Sequence, residues 1–320
     1  MKRSVASPSP SQGEGWGEGR HGTTLGAALA SARRRLRRAG IDDAGIEADL
    51  LLRHALRSPF PLGEGQGEGV SRAYLLSRLG QRLEPAAAAR FEAYLQRRLA
   101  HEPSAYITGH REFYGLDFFV TPATLIPRPE TETLVEAAIE LVSARDVGAQ
   151  HAAPLLIADV GTGCGAVAVA LACALPGATV LATDASSAAL AVAATNAQRH
   201  GVVDRIVFAQ ADLLTPLAGP FDLIVANLPY VKMSDWRRLP PEVRDHEPRL
   251  ALDGGRDGLD QLRRLLRQAP SRLRPGGSLC LEFGAGQEAP LRALAAAAFP
   301  NASLAVKPDL AARPRVLVLR

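Results

Sequence analysis

The sequence is poor in lysine, cysteine and long apolar runs, and each scarcity excludes a class of protein. Only three of the 37 basic residues are lysines and the net charge is +4, so charge gives weak support for a polyanionic partner. The three cysteines, Cys164, Cys173 and Cys280, lack the paired spacing of a zinc site. We therefore expect reduced thiols and no metal site. No apolar run approaches the roughly 18 residues that span a bilayer, which predicts a cytoplasmic protein without a membrane partner.

Glycine and proline are concentrated in a short repeat. SPSPSQGEGWGEG covers residues 7–19, and SPFPLGEGQGEG covers residues 58–69. Such segments bury too little apolar surface to offset the entropy of ordering. We predict a disordered tail at residues 1–22. The second copy is interpreted as an insertion at residues 58–69 between two helices, where extra loop length costs little free energy.

The first part of the remaining chain has a helical pattern. Between residues 23 and 104, apolar residues such as Leu25, Leu29 and Leu36 recur at helical spacing, which predicts a small helical bundle. From residue 106 to 121 the pattern changes to two short strands that turn at Tyr114 and Gly115. This predicts a β-hairpin linker at residues 105–124.

Residues 125–320 alternate between apolar strands and helices. Strands are predicted at residues 155–160, 179–183, 205–210, 223–226, 278–283, 303–307 and 315–319. Alternation of this kind indicates a mostly parallel sheet with helices on both faces. The short turn between the last two strands favours a closing antiparallel hairpin. The predicted class is therefore α/β, with the seven-stranded, Rossmann-like sheet of class I methyltransferases.

The glycine-rich turn after the first of these strands predicts a cofactor site. Its G-x-G-x-G spacing lacks the last glycine of a dinucleotide fingerprint, which favours S-adenosylmethionine over NAD. Asp184 ends the second strand, where its carboxylate can accept both ribose hydroxyl protons or, alternatively, cap the next helix. Cys164 has no histidine base near it and is interpreted as a small loop residue. The predicted cofactor residues are Asp159, Gly161, Thr162, Gly163, Cys164, Gly165, Asp184, Asp212, Leu213 and Asn227.

The fourth strand leads directly into the tetrapeptide Asn227-Leu228-Pro229-Tyr230. Ligands of open α/β sheets bind beyond the carboxyl ends of the strands, which is where this tetrapeptide lies. The side-chain oxygen of Asn227 and a backbone carbonyl can accept the two N–H protons of a planar nitrogen. Pro229 stiffens the turn, and the ring of Tyr230 can stack on the acceptor. The pattern predicts nitrogen methylation, with Asn227, Pro229 and Tyr230 as catalytic residues, and it suits an amide or an adenine equally.

Several separate segments resemble one family, the peptide chain release factor glutamine methyltransferases, also called HemK or PrmC. The resemblance covers about residues 22–320 and rests on five segments: residues 103–119, 125–132, 159–165, 227–230 and 247–260. It implies transfer of a methyl group to the glutamine of the Gly-Gly-Gln loop in class I release factors, giving N5-methylglutamine. It also implies that the helical domain docks the release factor. The implied substrate-binding residues are Arg128, Glu130, Thr131, Glu132 and the four residues of the tetrapeptide.

Two departures and two rivals bear on this resemblance. Leu228 stands where the family usually has proline, and the insertion at residues 58–69 interrupts the helical domain. One rival is the paralogue that methylates a glutamine of a ribosomal protein, which typically lacks the R-P-E-T-E stretch present at residues 128–132. The other is a nucleic-acid N6-adenine methyltransferase, which usually carries an aromatic, basic recognition domain. We expect no direct nucleic-acid requirement.

Overall fold

The computed structural model describes residues 22–56, 69–146 and 155–320. The predicted tail and the predicted insertion lie outside these ranges, except for Gly22 and Gly69. The chain divides into two compact units between Leu95 and Gln96, whereas the prediction ended the helical domain at residue 104. The difference has a local cause. Arg97 donates to Glu102 at 2.7 Å and to the carbonyl of Tyr106 at 3.4 Å, so the chain after residue 95 is tied to the segment that follows it.

The first unit is a helical bundle. Its helices are α1 (Leu25–Arg38), α2 (Ala44–Ala55), α3 (Arg72–Leu76) and α4 (Pro85–Leu99), the last of which continues into the second unit. Thr24 caps α1, because its side chain accepts a hydrogen bond from the amide of Ala27 at 3.2 Å. The apolar faces meet at fully buried Leu36, Leu51 and Phe91. The predicted helical periodicity therefore corresponds to packed helices.

The second unit begins with a short helix and a hairpin. These elements are α5 (Ser104–Thr108), β1 (His110–Phe113) and β2 (Leu116–Phe119). The turn occurs at Tyr114 and Gly115, both with positive φ, as a two-residue hairpin requires. The prediction of strand at residues 106–108 is wrong, because these residues complete α5. Gly109, at φ +77°, ends that helix and redirects the chain into β1.

The rest of the second unit is the predicted α/β sheet, and the fold class is confirmed. Its helices are α6 (Glu132–Asp146), α7 (Ala166–Ala174), α8 (Ser187–Arg199), α9 (Pro241–His246), α10 (Asp260–Gln268) and α11 (Glu288–Ala298). Its strands are β3 (Leu155–Val160), β4 (Ala178–Asp184), β5 (Ile206–Gln210), β6 (Phe221–Ala226), β7 (Leu273–Glu282), β8 (Leu304–Pro308) and β9 (Pro314–Leu319). Strand β9 runs antiparallel to both β7 and β8, which forms the closing hairpin. Within the described ranges, no helix has the length and apolar character to cross a bilayer.

The strand order β5-β4-β3-β6-β7-β9-β8 determines where a ligand can bind. The chain winds outward from β3 in one direction and from β6 in the other, so the switch point lies between these two strands. Val160 at the end of β3 pairs with Thr183 of β4 and with Ala226 of β6. Because the strands are parallel, the segments that follow them emerge at one edge of the sheet. This register brings the glycine-rich turn, Asp184 and Asn227 together.

Candidate active site

A cavity of about 270 Å³ opens at this edge of the sheet. The predicted site residues that line it are Arg128, Thr131, Asp159, Gly161, Thr162, Gly163, Cys164, Asp184, Asp212, Leu213, Asn227, Leu228 and Pro229. Four predicted residues, Glu130, Glu132, Gly165 and Tyr230, lie outside its lining. The glycine-rich turn and most of the tetrapeptide at residues 227–230 therefore share one cavity.

The glycine-rich turn is held to the end of β4 by its backbone. The amides of Gly161 and Thr162 both donate to the carbonyl of Thr183 at 2.8 Å, and the amide of Gly163 donates to Asp184 Oδ2 at 2.9 Å. Gly163 has φ +57°, and a Cβ added there would meet no atom within 4 Å. Since Gly163 lines the cavity, its lack of a side chain leaves that space to a ligand.

The side chain of Asp159 stabilises the glycine-rich turn by hydrogen bonds. Its carboxylate is buried and accepts hydrogen bonds from Thr162 Oγ1 at 2.7 Å and from the amide of Ala168 at 3.1 Å. Burial raises the pKa of Asp159 to about 7. Burial likewise raises the pKa of the Cys164 thiol to about 12, which agrees with a loop residue and not with a nucleophile.

The ends of β4 and β5 supply the acidic groups predicted for the nucleoside. Asp184 Oδ1 accepts from the amide of Ser186 at 2.9 Å, but the cap of α8 is Ser186, whose side chain accepts from Ala189. The alternative role of Asp184 as the helix cap is therefore wrong. Asp212 is exposed and forms an ion pair with Arg264, which the sequence did not indicate as a site residue although it also lines the cavity.

Leu228 connects the tetrapeptide to the cofactor turn. Its side chain is buried, and a Cβ added to Gly161 would lie 2.9 Å from Leu228 Cδ2. Gly161 also has φ +77°, so both its conformation and this close approach require glycine. The leucine that departs from the family pattern thus packs directly on the glycine-rich turn. Beside it, Asn227 Nδ2 donates to Thr131 Oγ1 at 3.0 Å.

The segment 247–260 encloses the end of the tetrapeptide. The amide of Val231 donates to the carbonyl of Leu252 at 2.9 Å. A Cβ at Gly254 would lie 2.7 Å from the Cα of Tyr230, and one at Gly258 would overlap the carbonyl oxygen of Tyr230. These glycines therefore allow backbone to pass against backbone. Burial raises the pKa of Tyr230 to about 12.

An ion pair joins two segments that lie far apart in sequence. Arg128 pairs with Glu247, and the second oxygen of Glu247 accepts from the amide of Ile126 at 3.2 Å. Burial raises the pKa of Glu247 despite the opposing effect of Arg128. No spacing in the sequence links these residues, so this pairing was missed.

Glu132 has a different structural role, since its Oε1 accepts from the amide of Tyr114 at 3.0 Å and anchors the hairpin.

Glu282 is a further residue that the sequence reasoning missed. It ends β7 with no exposed surface, and burial raises its pKa to about 7. A signal was available, because a single acidic residue interrupts the apolar run Leu279-Cys280-Leu281-Glu282-Phe283 at the carboxyl end of a strand. Acidic residues are seldom fully buried, so this position merits a functional explanation.

Comparisons with known proteins find matches over most of the chain. Residues 27–109 match the PrmC N-terminal domain family, and residues 157–246 match a methyltransferase domain family. A curated relative from Moorella thermoacetica, named release factor glutamine methyltransferase, is 45% identical over 91% of this chain and 96% of the relative. A relative of the same name from Bradyrhizobium diazoefficiens is 42% identical over 92% of this chain and 95% of its own length.

A solved structure supports the fold alone. The hMettl16 catalytic domain in complex with an RNA hairpin of the MAT2A 3′UTR has a TM-score of 0.52 at 18% identity, covering 73% of this chain and 81% of that one. The curated relatives establish more, because they are 42–45% identical to this chain over about nine tenths of its length. The chain therefore belongs to the family of release factor glutamine methyltransferases.

Proposed function

We propose that this protein transfers the methyl group of S-adenosylmethionine to the side-chain amide nitrogen of the glutamine in the Gly-Gly-Gln motif of class I release factors. The observation that carries the proposal is the position of Asn227. It follows β6 at the switch point, on the same cavity as the glycine-rich turn, with its Nδ2 engaged by Thr131. Its Oδ1 is then available to an incoming amide. The names of the curated relatives support the same substrate.

The residues around the glycine-rich turn suit an adenosine cofactor with a compact, positively charged sulfonium. Gly161 and Gly163 bring backbone to the cavity without side chains, and we assign Asp184 to the ribose hydroxyls. Each carboxylate oxygen of Asp184 accepts one backbone hydrogen bond and retains a lone pair. Asp212 and Leu213 are assigned to the adenine edge and ring. When bound, the cofactor supplies an electrophilic methyl group.

The acceptor residues align a weak nucleophile. An amide nitrogen is poorly nucleophilic because its lone pair is delocalised into the carbonyl group. Asn227 Oδ1 and the backbone carbonyl of Leu228 would accept its two N–H protons and turn the nitrogen toward the methyl group. The C–S bond to the methyl group would break as the N–C bond forms, and the methylated amide would then release one of its two N–H protons to solvent. Alignment and exclusion of water, with no strong base, would supply most of the rate.

The partner and location follow from the same assignment. We propose that the helical segment at residues 23–104 contacts the release factor, and that the reaction takes place in the cytoplasm without a nucleic acid. Glu130 and Arg128, next to Thr131, are assigned to the protein substrate. Pro229 lines the cavity beside the acceptor glutamine, and Tyr230 supports the tetrapeptide from outside the lining.

A methyl-transfer assay tests this function. Purified protein with radiolabelled S-adenosylmethionine is expected to label a class I release factor and to leave a Gly-Gly-Gln→Gly-Gly-Ala release factor unlabelled. Asn227→Ala is expected to lower turnover by roughly 100-fold or more, because alignment is lost, while calorimetry still detects cofactor binding. Ribosomal RNA and ribosomal proteins serve as competing substrates.

Three results would contradict the proposal. Equal labelling of both release factors would remove the glutamine from the reaction. Labelling confined to RNA or to a ribosomal protein would assign the site to one of the two rival activities. Unchanged turnover of Asn227→Ala would show that the acceptor contacts are misassigned.

A further inference from the structure

The register of β6 and β7 places Glu282 beside the acceptor tetrapeptide. Ala226 at the end of β6 pairs with Leu281 of β7, so Asn227 and Glu282 are the next residues on two neighbouring parallel strands. Glu282 has no exposed surface, and neither carboxylate oxygen has a hydrogen bond of ordinary geometry within the described residues. A carboxyl group buried in this way is costly unless polar groups face it. An apolar side chain, like those of the adjacent Leu281 and Phe283, would avoid that cost.

Four polar groups from three parts of the chain face this carboxyl group. Burial raises its pKa, and the hydroxyls of Thr131 and Tyr230 lie near enough to oppose that rise as hydrogen-bond donors. The guanidinium of Arg315 on β9 also lowers the pKa, whereas Glu130 raises it. Both hydroxyls belong to the acceptor side of the active site. One is in the R-P-E-T-E stretch, and the other ends the tetrapeptide.

Thr131 connects this carboxyl group to Asn227. A threonine hydroxyl has one hydrogen to donate and lone pairs with which to accept. Asn227 Nδ2 already donates to Thr131 Oγ1 at 3.0 Å. The reverse amide orientation, with Asn227 Oδ1 toward Thr131, would require Thr131 to donate its only hydrogen to Asn227. A carboxyl oxygen of Glu282 on the other side of Thr131 can accept that hydrogen, which leaves Thr131 Oγ1 as an acceptor toward Asn227 and disfavours the reverse orientation.

We propose that Glu282 and Thr131 are positioning residues that hold the Asn227 amide with Nδ2 inward and Oδ1 toward the acceptor glutamine. The inference rests on the proposed function and specifies how its key residue is oriented. Glu282 accepts the hydroxyl hydrogen of Thr131, and Thr131 accepts from Asn227. Glu282 also accepts from the hydroxyl of Tyr230, which ties both ends of the tetrapeptide to one group.

A purely structural role for Glu282 would be an ion pair with Arg315. Arg315 already donates to the carbonyl of Phe283 and to Asp309, each at 3.3 Å, and these bonds hold it at the end of β9. Replacing Glu282 would then lower stability and leave the orientation of Asn227 unchanged. The two roles therefore differ in what they predict for the Asn227 side chain and for turnover.

Kinetics of matched variants test the positioning role. Glu282→Gln, which leaves one acceptor oxygen for the two hydroxyls, and Thr131→Val, which removes one hydroxyl, are each expected to lower kcat on the release factor by roughly 10- to 100-fold, with cofactor affinity by calorimetry changed less than about threefold. Because both act through Asn227, the double variant should lose no more than the worse single variant. Thr131→Ser, which restores the hydroxyl, should recover most of the loss. Glu288→Gln on α11 is the matched control, since its side chain is 36% exposed and its carboxylate pairs with Arg292 of the same helix.

A second measurement needs no turnover. The chain has three asparagines, Asn196, Asn227 and Asn301, so selective ¹⁵N-asparagine labelling gives three side-chain amide pairs in a correlation spectrum. The Asn227 pair is expected to shift in both Thr131→Val and Glu282→Gln. The Asn196 pair, whose Nδ2 donates to the carbonyls of Phe119 and Cys164, should stay in place and report an intact fold.

The outcomes separate this inference from the proposed function. An unmoved Asn227 pair in Glu282→Gln, or losses of kcat that multiply in the double variant, would overturn the positioning role while wild-type methylation of the release factor stands. Wild-type protein that fails to methylate the release factor would overturn the proposed function. The asparagine spectrum would still decide how Asn227 is oriented. If Glu282→Gln does not fold, Thr131→Val carries both measurements.

Discussion

At the scale of single residues, Leu228 couples the two halves of the active site. Its backbone belongs to the acceptor tetrapeptide, while its side chain packs on Gly161 of the cofactor turn. A proline at this position would retain the carbonyl but would reach less far into that space. The departure from the family pattern therefore adds apolar contact between the turn and the tetrapeptide.

Leu228→Ala is expected to weaken both stability and cofactor binding. Removing a buried leucine side chain costs about 2–5 kcal/mol of unfolding free energy, depending on how far the site collapses. Chemical denaturation measures that loss, and calorimetry should show weaker binding of S-adenosylmethionine because the glycine-rich turn loses its support. Leu310→Ala is the matched control, since Leu310 is 98% exposed and its truncation should change neither quantity. Equal behaviour of the two variants would contradict the packing role.

Residue-level prediction from sequence succeeded where backbone geometry or a strand end determines the role. Gly161 and Asn227 follow apolar strands, and Asp184 ends one. Because such strands can be recognised in the sequence, the convergence of these residues on one cavity could be anticipated. The end of an apolar strand also marks Glu282, but neither Glu282 nor Glu247 could be assigned a role in the same way. Their roles depend on which side chains face them across the fold, and no periodicity encodes that information.

At the scale of elements, the Arg128–Glu247 pair joins the segment before α6 to the segment after α9. The Glu247 side chain is only 1% exposed, so its charge depends on Arg128 and on the amide of Ile126. Breaking a buried pair by removing one partner is costly because the other charge is left unpaired. The two family segments are therefore expected to be energetically coupled.

A double-mutant cycle tests that coupling. Arg128→Met should destabilise the protein by about 3–5 kcal/mol, because it leaves a buried carboxylate uncompensated. Adding Glu247→Gln should recover part of this loss, since the neutral amide still accepts from Ile126. The exposed pair Lys307–Glu140 is a matched control, with side chains 39% and 57% exposed, and the same substitutions there should show coupling below about 1 kcal/mol. Similar coupling energies at both pairs, measured by urea denaturation, would refute the buried connection.

Element boundaries show what periodicity can and cannot provide. Six of the seven strands of the large sheet were predicted close to their observed positions, because apolar runs between turn residues are distinctive. The exception is β7, which begins at Leu273 and not at Ser278, because its first residues include proline and glycine and carry no apolar run. The stretch at residues 106–108 was predicted as strand and forms α5 instead. Three residues are too few to distinguish the alternating pattern of a strand from one turn of a helix. That Gly109 ends a helix here can be recognised only once the tertiary contacts are known.

At the scale of the whole molecule, two buried carboxyl groups connect stability to pH. Burial raises the pKa of Asp159 and of Glu282 to about 7, from ordinary values of 3.8 and 4.5. The unfolded chain therefore ionises both groups near pH 4, whereas the folded protein keeps them protonated until about pH 7. Between these values the folded state binds more protons, so the free energy of unfolding falls as pH rises and levels off above about pH 7. Carboxyl groups with a lowered pKa, such as Asp117, act in the opposite sense and only below about pH 4.

The ligand-free protein is expected to lose roughly 2–5 kcal/mol of unfolding free energy between pH 5 and pH 7. Asp159→Asn imitates the protonated group, because its amide oxygen can still accept from Thr162 and Ala168, and it should reduce the slope by about half. Combining it with Glu282→Gln should leave only a shallow slope, to which Glu247 contributes because burial also raises its pKa. Urea denaturation at half-unit pH intervals measures the effect. Wild-type stability that rises from pH 5 to pH 7, or a double variant that keeps the full slope, would show that other groups control the response. Because Asp159 lies under the cofactor turn and Glu282 beside the tetrapeptide, a confirmed slope would mean that the two halves of the active site ionise over the same range of pH.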